Sequence, residues 1–178
     1  MPNLSVTLRR LRPADEGFLY AMENHPDVAA QTGYVERVTR KMVRDYLKRF
    51  AASPALEESI RLVVCVAGAS GAEDDVERVG IVDLSGINRR DKYAEVGIAV
   101  LPEYRNRGIA AAALRMLERL ACKMQLRNLL ARVAASNVAA ITLFEGRGYS
   151  CVGALPQYHE GAEGREDVSI YSKRINRT

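Results

Sequence analysis

The chain has 178 residues, 48% hydrophobic and 27% charged, with 26 Lys and Arg against 22 Asp and Glu for a formal charge of +4. That balance supports a sizeable core in one domain of ordinary size, expected over residues 4–175, and excludes disorder, collagen and a disulfide scaffold. The basic excess is mild and suits an anionic small ligand, whereas nucleic-acid binding would gather Arg and Lys into one stripe; neither nucleic acid nor membrane is an expected partner.

Cys65, Cys122 and Cys151 are scattered without CxxC spacing, which fits buried thiols in a reducing compartment better than bridges or a metal site. No run approaches the roughly 18 apolar residues of a membrane span. The opening Met1-Pro2-Asn3-Leu4 lacks a basic region followed by an apolar one, so the expected location is the cytoplasm.

Val6, Leu8 and Leu11 start a short strand, and Pro13-Ala14-Asp15 punctuates it. Asp15 suits an N-cap for a helix turning Phe18, Leu19 and Met22 inward, stopped at His25-Pro26. Asp27 to Val38 has no assignable periodicity, and a second helix follows Thr39 with Met42, Val43, Tyr46, Leu47 and Phe50 at helical spacing. Ile60 to Ala67 reads as a buried strand, Gly68 to Glu77 as a hairpin loop, and Arg78 to Ile87 as the partner strand. The turn Asn88-Arg89-Arg90-Asp91 leads to a third strand, Tyr93 to Leu101, which makes an antiparallel meander.

After Pro102 the period changes. Ala110, Ala113, Leu114, Leu117, Ala121 and Met124 form the apolar stripe of a long amphipathic helix with Arg115, Glu118, Arg119 and Lys123 opposite. A strand at Leu129 to Ala134, a helix from Asn137 to Glu145, and strands near Tyr149 to Tyr158 and Val168 to Ile175 complete the chain. An acidic loop, Glu160 to Asp167, joins the last two strands. The expected fold is α/β: one mixed, mostly antiparallel twisted sheet with flanking helices and a central strand–helix–strand unit.

The most informative segment runs from Glu95 to Ala110, where a strand ends, a basic loop turns and the long helix begins at Gly108. The first N–H groups of a helix lack internal partners and carry partial positive charge, so a phosphate or diphosphate fits there. Arg105 and Arg107 add charge at the rim, although the same residues also suit a solvent-facing loop with an ordinary helix-start glycine. No GxxxxGK[ST], GxGxxG or HExxH motif occurs, and His25 and His159 lie far from any recognisable nucleophile motif.

Arg105-Asn106-Arg107-Gly108-Ile109-Ala110 resembles the R/Q-x-x-G-x-G/A signature of the GCN5-related N-acetyltransferase (GNAT) superfamily. The segment Asn137 to Tyr149 is similar to that family's N-x-x-A-I-x-x-Y-x-x-x-G-F block. The segments Leu8 to Asp15 and Glu23 to Val28 resemble the branch holding ribosomal-protein N-terminal acetyltransferases and bacterial spermidine or diamine acetyltransferases.

The resemblance implies a GNAT-like fold and an acyltransferase using acetyl-coenzyme A, with no metal. It places the pantetheine arm along Ile98, Ala99 and Val100, and the pyrophosphate on amides from Arg105, Asn106, Arg107, Gly108, Ile109 and Ala110. Asn137 would reach the pantetheine, with Ala140 and Phe144 along the same arm, between strands that splay near Leu101 and Ala134. Glu95, at the head of the cofactor strand, is the expected catalytic base through a water, or otherwise an exposed strand glutamate paired across the sheet. A backbone N–H near Val100 is the expected oxyanion donor.

Phe144 departs from the family, where many relatives place a tyrosine that protonates the leaving sulfur. Tyr149 falls on the family's aromatic packing position; Tyr104 and His25 read as turn residues, and Glu36 lies in the segment where this branch contacts substrate. The expected acceptor is a small cationic amine such as a polyamine or diamine, favoured by the acidic loop carrying Glu160, Glu163, Glu166 and Asp167. The alternatives are a protein N-terminus, as for the ribosomal-protein enzymes, or a non-catalytic coenzyme A-binding regulatory module. Relatives of this kind are often homodimers.

Overall fold

The computed structural model describes residues 5–32, 37–52, 59–68, 76–161 and 164–175. Seven strands share one sheet: β1 (Val6–Arg10), β2 (Ile60–Ala67), β3 (Val76–Asn88), β4 (Tyr93–Val100), β5 (Asn128–Ala134), β6 (Ser150–Gly161) and β7 (Gly164–Arg174). Their order across the sheet is β1-β2-β3-β4-β5-β7-β6. The strands pair antiparallel except β4 with β5, which run parallel, as the intervening helix α4 (Ile109–Lys123) requires.

The two faces carry different helices. Leu62, Val64, Val82, Leu84, Val96 and Val100 face α4 through Ile109, Ala113, Leu114 and Leu117, and α5 (Val138–Gly146) adds Phe144 to that core. On the opposite face Val63, Cys65 and Ile81 pack against Leu19 and Met22 of α1 (Glu16–Glu23), Val28 of α2 (Pro26–Thr32), and Val43 and Leu47 of α3 (Arg40–Ala52). The alternation of apolar residues along β2 and β3 therefore fills two separate cores.

Several expectations are corrected. Asp15 stands at the N-cap of α1 but makes no side-chain cap there; its carboxylate turns back to the 3-10 turn Pro13–Asp15. It is 1% exposed and accepts two 2.7 Å bonds from Arg9 and one of 2.8 Å from the Arg12 N–H, with Arg78 at 3.3 Å. α1 ends at Glu23, just before the His25-Pro26 step as expected, and Pro26 also opens α2, because the first turn of a helix needs no N–H from proline. His25 serves that helix: its carbonyl accepts from Val28 and Ala29, and its Nδ1 accepts from the Asp27 N–H at 3.3 Å. Met42 lies one position off the Val43–Tyr46–Leu47–Phe50 stripe of α3 and is 49% exposed. Glu36, Glu163 and most of the expected loop after Gly68 lie outside the described residues.

The acidic loop is a hairpin of paired strands, with His159 opposite Glu166 and Glu160 opposite Arg165. Glu166 accepts from the Ser136 N–H and hydroxyl at 2.8 and 2.9 Å, and Asp167 accepts from the Gln157 N–H at 2.8 Å. These carboxylates hold neighbouring backbone in place and do not form a charged funnel.

Candidate active site

β4 and β5 pair at Tyr93–Asn128, Ala94–Leu129 and Glu95–Leu130, and then separate. On its other edge β4 stays paired with β3 as far as Val100–Gly80, and the Leu101 N–H donates to Val79 at 2.9 Å. Antiparallel bonds fall on alternate residues, so Gly97, Ala99 and Leu101 turn their backbone groups toward β3. Ile98 and Val100 therefore turn theirs toward the gap left by β5. That gap exposes unpaired strand edge to which an extended ligand can add hydrogen bonds.

Beyond the gap, Asn106 and Gly108 take positive φ, 59° and 74°, and bring the chain sharply into α4. The first intrahelical bond runs from the Ala112 N–H to the Gly108 carbonyl at 3.0 Å, and no side chain caps the terminus. The amides of Ile109, Ala110 and Ala111 are thus without helical acceptors. Arg105 is not at the rim: it folds back, Nε donating to the Val100 carbonyl at 3.0 Å, with Nη2 buried and unpartnered among the described residues. Arg107 lies 5.6 Å from the Tyr104 ring centre, and the Tyr104 hydroxyl donates to Glu77 at 2.7 Å.

Three hollows meet on β4 at Ile98 and Ala99. The largest, about 480 Å³, is lined by Ile98, Ala99, Val100, Arg105, Asn106, Gly108, Ala110, Asn137 and Ala140. Arg107 and Ile109 do not line it; Ile109 is 1% exposed and its side chain belongs to the core. The second, about 330 Å³, lies between β4 and β5 and holds Glu95, Arg132, Asn137, Ala140, Phe144, Tyr158 and His159. The third is a chamber of about 90 Å³ under α1 and α2, lined by Glu23, Arg61, Asp83 and Gly97.

Asn137 is first of all an N-cap: its side-chain oxygen accepts from the Ala140 N–H at 3.1 Å, which leaves its NH₂ as the donor it can offer the clefts. Phe144 is 3% exposed and meets Tyr149 edge-on, ring centres 5.0 Å apart. Tyr149 is core as expected. Burial, and then the charge of Glu118, push its phenol far above the ordinary range.

Glu95 is paired across the sheet. Arg132 Nε donates to its Oε1 at 2.7 Å, and that bond holds the guanidinium even more firmly charged. The sequence reading missed the opposite side of the site. Arg61 pairs with Glu23 and lies near Asp83, whose carboxyl is pushed up by burial and by the charges of Glu23 and Glu95, against the opposing pull of Arg61. A signal existed: Arg61 and Asp83 are isolated charges inside apolar strands. Among the described residues no group of three His, Cys, Asp or Glu side chains is arranged to hold a metal, and no helix is long and apolar enough to cross a membrane.

Residues 5–150 match the acetyltransferase (GNAT) domain family. The ribosomal protein bS18-alanine N-acetyltransferase of Escherichia coli (strain K12) is 34% identical over 86 residues, covering 48% of this chain and 58% of that protein. The match thus spans little more than half of that relative's length. Spermidine N-acetyltransferase from Vibrio cholerae, in complex with CoA and spermine, superposes with a TM-score of 0.84 at 20% identity, covering 96% of this chain and 95% of its own. A probable acetyltransferase superposes with a TM-score of 0.82 at 19% identity, covering 96% of this chain and 93% of its own.

Proposed function

The chain belongs to the GNAT acetyltransferase family, and on that premise we propose that it transfers acetyl from acetyl-coenzyme A to a primary amine. The observation that carries the reading is the continuous groove joining the open edge of Ile98 and Val100 to the uncapped start of α4. The open edge suits the amide-bearing pantetheine arm, and the amides of Ile109 to Ala111, beside Asn106 and Gly108, suit the diphosphate. Asn137 and Ala140 then flank the arm from α5, and Arg105 braces the turn at Val100.

The arm's end falls where the three hollows meet. An outward N–H of β4, at Ile98 or Val100, can donate to the oxygen of the tetrahedral adduct. The amine's lone pair forms the new C–N bond, and the C–S bond breaks with its electrons on sulfur. Phe144 offers no proton, so sulfur leaves as thiolate; a thiol pKa of about 8.5 makes that practicable. The amine arrives mostly as an ammonium, with a pKa of about 10 for an alkylamine and about 8 for a peptide N-terminus, so nitrogen gives up one proton before attack and a second from the adduct; a carboxylate on the face shared by Glu95 and Asp83 can take them to solvent.

The carboxylates near the clefts do not favour a polyamine. Glu23 is paired with Arg61 and Glu95 with Arg132, which leaves Asp83 as the one carboxylate lining the clefts without a hydrogen-bond donor among the described residues. An acceptor with one ammonium, such as a peptide N-terminus or a small monoamine, suits this site better than a chain of cations. Phe144 also leaves room for a coenzyme A-binding module without turnover. Thiol release from acetyl-coenzyme A over a panel of peptides, monoamines and polyamines tests all three. Release with monoamines or peptides supports the reading, preference for polyamines overturns the acceptor class, and binding without release identifies the module.

A further inference from the structure

We infer that Asp83, and not Glu95, is the group that takes the proton from the acceptor amine in the small chamber beneath α1 and α2. This rests on the transferase reading above. Asp83 stands on β3 directly opposite Gly97 of β4. A Cβ placed on Gly97 would lie 2.6 and 2.8 Å from the two Asp83 carboxylate oxygens. The missing side chain of Gly97 therefore makes the space in which that carboxylate lies over β4. Gly97, Ile98 and Ala99 line both this chamber and the larger cleft holding Glu95, so the carboxylate sits beside the stretch where the thioester is expected.

The chamber's volume, about 90 Å³, is room for an amine head and one or two waters at about 30 Å³ each, and the body of the acceptor must extend elsewhere. Among the described residues no donor hydrogen-bonds the Asp83 carboxylate, whereas Glu95 is bonded at 2.7 Å to Arg132. A carboxylate held by a guanidinium is a weak proton acceptor, and a half-desolvated one without a donor is a stronger one. The groups around Asp83 are Arg61 on β2, Glu23 on α1 and Glu95 on β4; Arg61 in turn faces the ring of Tyr46 on α3. Arg61 is paired with Glu23 and Arg132 with Glu95, so two guanidiniums stand among three carboxylates and the net charge is negative, a setting that attracts an ammonium and raises the affinity of Asp83 for the proton it gives up. Asp83 takes the first proton from the ammonium and passes it to solvent, which frees the lone pair that forms the C–N bond; the second nitrogen proton leaves the tetrahedral adduct through the same carboxylate as the C–S bond breaks, and it too returns to solvent, with the thiolate left on sulfur.

The test compares Asp83→Asn, Glu95→Gln and Gly97→Ala with the wild type over pH, using the best acceptor from the amine panel. Asp83→Asn is expected to lower kcat about 100-fold or more with coenzyme A affinity unchanged, and to make the rate track the free-base form of the amine. Gly97→Ala is expected to lower kcat while Asp83 remains, by displacing its carboxylate. Glu95→Gln is expected to keep the acid limb of the pH profile. Carbon-13 NMR of aspartate-labelled wild type, with Asp83→Asn to assign the signal, reads the same group without turnover. A titration of Asp83 in the ordinary carboxylate range, or an acid limb lost in Glu95→Gln and kept in Asp83→Asn, overturns the assignment. Calorimetry with coenzyme A separates the two readings: absent binding overturns the transferase proposal, while normal binding with an unshifted Asp83 overturns this one.

Discussion

Arg132 reaches Glu95 across the first step at which β4 and β5 no longer pair, Nε to Oε1 at 2.7 Å. The ion pair spans the apex of the opening and replaces the ladder bonds that stop at Leu130. Both side chains are partly exposed, 47% and 33%, so solvent screens the attraction and the pair contributes at most about 1 kcal/mol to stability.

Arg132→Met is therefore expected to leave the melting temperature nearly unchanged. Its effect falls on the acceptor, because Glu95 and Arg132 line the 330 Å³ cleft. The KM for the amine is expected to shift several-fold, with the KM for acetyl-coenzyme A unaltered. Steady-state kinetics with each substrate varied in turn checks this.

Gly108→Asp is expected to weaken coenzyme A binding at least tenfold by placing a carboxylate beside the diphosphate. The new Cβ meets no atom within 4 Å, so the defect is one of charge and of the positive φ of 74° and not of crowding. Gly108→Asn makes the same backbone demand without the charge and is expected to retain most of the affinity. Calorimetric titration of both variants separates the two effects.

Asp15 is an acid-sensitive element of the fold. Burial alone would push its carboxyl up, but the bonds from Arg9 and the Arg12 N–H hold it below the usual range. A carboxyl depressed in the folded state contributes stability that is present above its unfolded pKa and lost as pH falls through the folded one. Asp15→Asn leaves the Arg9 guanidinium without its partner and is expected to cost about 3 kcal/mol at neutral pH, less below pH 4. Denaturant melts at several pH values check the magnitude and the convergence.

Asp83 has the opposite sign. A carboxyl raised on folding disfavours the native state wherever the group is ionised, so stability falls as pH rises through that window. Asp83→Asn is accordingly expected to melt higher than the wild type at neutral pH, because burial outweighs the pull of Arg61. A lower melting temperature would mark Asp83 as a structural residue.

Where neighbours along the chain make the structure, the sequence was readable. The apolar run of β2, the stripe of α4 and the glycine that starts it follow from periodicity and from backbone freedom at positive φ, and the structure places them within a residue or two. The errors came where a distant partner outbid a local one. Asp15 has the right residue type for a cap, but Arg9 and Arg78 arrive from two strands and claim its oxygens. Glu166 and Asp167 look like a solvated acidic tip until Ser136 and Gln157 are brought against them.

By itself the sequence determined the fold class and the order of elements apart from α2, and it singled out the groove proposed for the cofactor, because that groove is one continuous segment, β4 through the start of α4. The side proposed for the acceptor was decided by tertiary structure alone. Glu23, Arg61, Asp83, Glu95 and Arg132 come from one helix and four strands, and no local period or motif relates them. They share a site because the strand order sets β2, β3, β4 and β5 side by side, and because β4 and β5 part after three residues.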